Sequence, residues 1–83
     1  MEVALDRPML FDNMVTITPN DNKLLDNPGY IMHTEDDDKA VCFLTVGGQK
    51  QTITLAPKEV LSVKVKQVYL TGTAVGITVK VLY

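Results

Sequence analysis

With 83 residues the chain is long enough for one domain, and a domain of that size buries a modest share of its surface, so something is expected to supplement its core. One cysteine excludes an internal disulfide, and one histidine beside one cysteine leaves little for a structural zinc site. Eight basic against ten acidic residues, a formal charge of −2, disfavour binding to nucleic acid by phosphate neutralisation, and no apolar run is long enough to span a bilayer.

Residues 1–13 (MEVALDRPMLFDN) read as an extended arm. Acids come early and no basic stretch precedes an apolar core, so no secretory signal is expected. Pro8 stops any helix begun at Glu2. Leu5, Met9, Leu10 and Phe11 are apolar for a free tail, which leaves two readings: the arm docks on another chain, or it folds back on its own domain.

Residues 14–18 (MVTIT) form a first short strand, with Val15 and Ile17 on one face. The following PNDNKLLDNPG is dense in turn formers, and Leu24 and Leu25 tuck it onto the core. Residues 30–34 (YIMHT) are a second strand in which His33 is expected to face solvent. EDDDK, residues 35–39, is expected to be a solvated turn.

Residues 40–46 and 49–55 flank Gly47-Gly48 and read as a hairpin with a two-residue turn, since glycine supplies the positive φ angles a primed turn needs. That register sets Cys42 opposite Ile53 and Ala40 opposite Leu55. Val41 and Phe43 then fall on the other face, opposite Thr54 and Thr52, so the first strand of the hairpin is apolar on both sides.

APKE, residues 56–59, is a turn with Pro57 presetting φ. Residues 60–70 are a long strand whose alternation slips by one, which places a β-bulge near residues 66–67. TGTAVG, with Gly72, turns the chain. Residues 77–83 close it, Ile77, Val79, Val81 and Tyr83 facing one way and Thr78, Lys80 and Leu82 the other. The expected fold is all-β: a small antiparallel β-sandwich or barrel of about six strands, a single β domain at residues 14–83 behind the arm.

Catalysis needs a nucleophile beside a base, or two carboxylates in different environments. Cys42 sits in an apolar strand with no nearby cation, and its expected role is that of a small buried hydrophobe; a pairing with His33 is the alternative. Glu35, Asp36, Asp37 and Asp38 are contiguous, without the loop spacing and glycine of a calcium site. Gly47-Gly48 lacks the lysine and helix of a phosphate loop. No cofactor and no metal are expected, and a small hydrolase or cupin-like metal enzyme is the weakest reading. Lys58, Lys64, Lys66 and Lys80, with Tyr69, offer an alternative: a small β-barrel binding module for nucleic acid or a peptide.

What remains is interface. Burying a Phe or Val is worth roughly 1.5–3 kcal/mol, against a domain stability of about 5–15 kcal/mol. Val41, Phe43 and Leu82, together with Met9, Leu10 and Phe11, are therefore expected to pack on another chain. The competing reading is a second sheet of the same chain that covers them.

The stretch from Gly47-Gly48 through Thr52-Ile53-Thr54-Leu55, Val60-Leu61 and VKVKQVYLTGT (residues 63–73) to the terminal Leu82-Tyr83 resembles small tailed-phage and gene-transfer-agent virion proteins that share this ordered series. ITPNDNKLL, residues 17–25, is similar to their N-terminal part. The resemblance covers most of residues 15–83; the acidic 35–38 loop, the more apolar first hairpin strand and the arm lie outside the shared pattern. It implies a non-enzymatic structural virion protein that decorates or cements the capsid surface, or forms the base of a head spike. It also implies a homotrimer or homopentamer on the major capsid protein, sometimes carrying a head fibre, assembled in the host cytoplasm. Neither a membrane nor nucleic acid is expected as a partner.

Overall fold

The computed structural model describes residues 11–83, and six strands appear among them: β1 (Met14–Ile17), β2 (Tyr30–His33), β3 (Lys39–Thr45), β4 (Lys50–Leu55), β5 (Val65–Tyr69) and β6 (Val79–Leu82). All pairing is antiparallel, in two three-stranded sheets ordered β1-β6-β2 and β4-β3-β5. The chain is all-β, as its alternating pattern predicts, and the sheets share one core. Ile31, Val79 and Val81 from the first sheet meet Val41, Phe43, Leu55, Val65 and Val68 from the second.

The hairpin departs from expectation by one residue. Thr45 donates its N–H to the Gln49 carbonyl, and Gly48 donates to the Thr45 carbonyl. The loop is therefore residues 46–48, a turn closed by Gly48 at φ +91°, a left-handed conformation that side chains resist. Val41 lies opposite Ile53 and Cys42 opposite Thr52. Because side chains alternate, one residue of slip exchanges the two faces. Val41, Phe43 and Ile53 face the core, while Cys42, Leu44, Thr52 and Tyr69 share the outer face.

That face is not bare at its centre. Residues 70–74 cross it: the Cys42 N–H donates to Thr73 Oγ1 at 2.9 Å, the Ala74 N–H to the Ala40 carbonyl at 2.9 Å, and Gly72 lies directly on Cys42. The expected strand over residues 60–70 is shorter, since only Val65–Tyr69 pairs with β3. Its register shifts between Leu44 and Thr45, leaving Lys66 as the extra residue, within the expected bulge.

Irregular segments extend both sheets. Residues 20–29 run along the outer side of β5 through Asn20 N–H to Val68 O, Leu25 N–H to Lys66 O, and a two-way exchange between Gly29 and Val65. Residues 58–61 do the same for β2, donating from Lys58 to His33 O and from Leu61 to Ile31 O. Gly29 approaches β6 so closely that an added Cβ would meet the Leu82 carbonyl oxygen and Val81 Cγ1.

His33 is wholly buried rather than solvent-facing. It follows Ile31 by two, and period-two alternation carries both to the inner face. Its Nε2–H donates to the Leu55 carbonyl at 2.6 Å and its Nδ1 accepts the Glu35 N–H at 3.2 Å, so both ring nitrogens are satisfied in the neutral tautomer.

Candidate interaction surface

The residues expected to form an interface divide three ways. Met9 and Leu10 lie outside the described residues. Phe11 is half-buried, its ring centroid 5.5 Å from that of Tyr30 at an interplanar angle of 50°. Val41, Phe43 and Leu82 are 0%, 2% and 5% exposed, covered by their own chain, which corrects their expected role as a docking face. For Val41 and Phe43 the facing sheet of the same molecule supplies the cover that a partner was expected to supply, whereas Leu82 lies on the other face of its sheet, between Met14 and Tyr30.

Apolar surface lies elsewhere. Met14, Val15, Leu24, Val46, Val63, Leu70 and Val75 are exposed, Val75 at 96%. They fall in three places. Val46 and Val63 flank the Val46 N–H to Lys64 carbonyl bond at the hairpin loop. Leu70 and Val75 bracket the crossing loop, which is held in place by Asp21: its carboxylate accepts the Thr71 N–H at 3.0 Å and the Thr71 hydroxyl at 2.7 Å. Those hydrogen bonds hold the Asp21 carboxyl below the ordinary aspartate value, with a smaller contribution from the Lys50 charge.

The third place has the most shape. β1 is an edge strand, and residues 23–26 stand across from it. Between them is a groove of ≈ 300 Å³ lined by Val15, Ile17, Leu24, Leu25, Lys23 and Asp26 among others. A smaller hollow of ≈ 180 Å³, sharing Val15, Ile17, Leu25 and Asp26, continues it towards Val81 and Tyr83. Sequence reading placed Leu24 and Leu25 on the core; Leu25 packs there, and Leu24 is left exposed on the groove wall.

Elsewhere the chemistry is structural. Cys42 is buried, and the ring nitrogens of His33 bond to backbone groups of Leu55 and Glu35. Among the described residues no three His, Cys, Asp or Glu side chains gather into a metal-binding group. Glu35 leaves the solvated acidic turn to accept the Thr78 N–H at 3.0 Å. The lysines of the expected strip are spread out: Lys80 lies on β6 with its Nζ on Thr16 Oγ1, Lys66 in the bulge of β5, Lys58 in the β4–β5 connection. Tyr69 has Lys50 Nζ over its ring at 4.4 Å. Gly47 and Gly48 occupy the hairpin loop; Pro57 precedes Lys58, at φ 61°, in a turn closed by the Glu59 N–H to Ala56 carbonyl bond; Gly72, at φ +94°, lies over Cys42.

No protein-family model and no curated protein matches the chain. Among solved structures it is similar to a chain described as "Capsid of native GTA particle computed with C5 symmetry", a gene transfer agent particle. The TM-score is 0.74 at 21% identity, covering 89% of this chain and 84% of that one. This chain therefore shares its fold with a chain of that capsid.

Proposed function

We propose that the protein is a non-enzymatic structural virion subunit that decorates or cements a capsid surface, or forms the base of a head spike, as a homo-oligomer. The observation that supports this best is the fold shared with a chain of the gene-transfer-agent capsid over nearly the whole length of both. The surface is consistent with it. Apolar side chains sit at three separate loop and edge positions, the arrangement of a subunit with several neighbours on a lattice. Many modest contacts repeated over a shell add resistance to bursting that no single contact provides.

The sheets form a rigid body and the loops carry the contacts. Val46, Val63, Leu70 and Val75 stand on short, hydrogen-bonded loops, so little ordering entropy is lost when they dock. The proposed partners are further copies of this chain, in threes or fives, and the major capsid protein beneath them.

The test is particle association. Purified protein is mixed with capsids of the phage or transfer agent whose genes neighbour its own, and bound protein is separated by sedimentation. Saturable binding to capsids, with an oligomeric mass in light scattering, is expected. A monomer that ignores capsids but retards oligonucleotides overturns this reading in favour of a nucleic-acid-binding barrel.

A further inference from the structure

We propose that residues 2–6 of one copy add as an extra strand to the outer edge of β1 in a second copy, seating Val3 and Leu5 in the groove between β1 and residues 23–26. The inference rests on the homo-oligomer part of the reading above and names the contact that builds it.

The edge is competent to accept a strand. Asn13 donates its N–H to the Tyr83 carbonyl at 2.8 Å and accepts the Tyr83 N–H at 3.1 Å. Such mutual pairs alternate along an antiparallel ladder, so Val15 and Ile17 bond to β6 while Met14 and Thr16 turn their N–H and C=O groups outward. Among the described residues no strand pairs with that side. The outer edge of β4 is open as well among the described residues, but its Gln51, Thr52 and Thr54 are exposed and polar. At β1 the neighbours are Met14, Val15 and Leu24, all exposed and apolar.

The segment matches the edge. Glu2-Val3-Ala4-Leu5-Asp6 alternates with period two, so a strand made of it turns Val3 and Leu5 to one side and its two acids to the other. Pro8, two residues beyond, ends such a pairing. Arg7 is in phase with Val3 and Leu5, and Asp26 on the groove wall offers it the opposite charge. Backbone pairing supplies affinity, and the two apolar side chains supply register.

The chain's course directs the segment to a neighbour. Before β1 it passes beside Tyr83, where both Asp12 and Asn13 donate to the Tyr83 carbonyl, and Phe11 packs tilted against Tyr30 of β2. Tyr30 is two strands from the free edge of β1, about 10 Å, on the face opposite Val15. To fill its own groove the chain must double back over Met14 and round the edge. A copy alongside receives it without reversal, and head-to-tail donation repeated around a rotation axis closes a ring.

The test traps the contact in full-length protein carrying Cys42→Ala. One sample also carries Leu5→Cys, and the other carries Leu24→Cys and a tag that separates the two by size. Under mild oxidation with copper phenanthroline, a mixed disulfide dimer is expected, at least tenfold above the yield with Val75→Cys in place of Leu24→Cys. In the same full chain, Val3→Asp with Leu5→Asp is expected to lower the oligomeric mass while the far-ultraviolet spectrum is unchanged. The proposal stands only if both results are obtained. It is overturned by a bond formed only within single chains of a Leu5→Cys/Leu24→Cys variant, by a wild-type monomer at the highest soluble concentration, or by an unchanged mass of the aspartate variant. Trans bonding in a protein that ignores capsids sinks the virion reading and leaves this one; capsid binding without trans bonding does the reverse.

Discussion

The His33 Nε2 lies 2.6 Å from the Leu55 carbonyl oxygen, and this bond ties the first sheet to the end of the second across the core. Truncating His33 to Ala removes a wholly buried side chain and leaves the Leu55 carbonyl and the Glu35 N–H without partners. The cavity and the orphaned groups together are expected to cost about 3–5 kcal/mol. Urea unfolding followed by far-ultraviolet circular dichroism reads this directly; a loss under 1 kcal/mol shows the bond to be incidental.

Phe43→Asp places a carboxylate in the shared core, where Phe43 faces Val68 across β3 and β5. The variant is expected to be unfolded or aggregated, since a buried unpaired charge exceeds the stability of a small domain. Leu24→Asp, on the exposed groove wall, is expected to fold with wild-type stability within about 0.5 kcal/mol. A folded Phe43→Asp protein would put that side chain back at an interface.

Gly29→Ala pushes a methyl group into the Leu82 carbonyl and Val81 Cγ1. The backbone of β6 has no room to retreat, and a loss of about 1–3 kcal/mol is expected from overpacking. The matching gain is Lys58→Gly. Lys58 holds φ 61°, which costs a side-chain-bearing residue roughly 1–2 kcal/mol, offset by about 0.5–1 kcal/mol of extra glycine entropy. A rise of a few degrees in thermal midpoint is expected; a fall shows that Lys58 makes a compensating contact.

Asp21 sets a pH dependence. Its carboxyl is held below 3.8, first by the Thr71 hydroxyl and then by the Thr71 N–H. A group whose pKa is depressed by folding stabilises the fold above its unfolded value and loses that contribution as pH falls through the folded one. Wild type and Asp21→Asn should therefore differ in stability at neutral pH and converge below pH 3.8. A carboxyl carbon titration by NMR with an ordinary midpoint would show that the Thr71 bonds do not persist in solution.

Strand positions were legible in the sequence because most carry a period-two apolar pattern, and β3 a continuous apolar run, bounded by glycine, proline or acids. Register was not. Gly47-Gly48 is as compatible with a two-residue as a three-residue loop, and the difference inverted the faces of β3 and turned Val41 and Phe43 from expected interface into core. His33 departs from its expected solvent-facing position because Ile31, two residues before it, sets the inward phase of β2. The groove beside β1 depends on which strand ends at an edge and on the path of residues 20–29, neither of which a local pattern encodes. The bulge at Lys66 was legible, because a slip in alternation has one simple geometric cause.

The Gly29–Val65 exchange stitches the two sheets along one flank, while among the described residues no backbone hydrogen bond crosses from β1 to residues 23–26 on the other. Local opening is therefore expected to be easiest at the unsewn margin. Amide exchange should be fastest at Met14 and Thr16 and slowest at Gly29 and Val65, whose N–H groups are both donated in the exchange, a gradient that runs across the sandwich rather than along it.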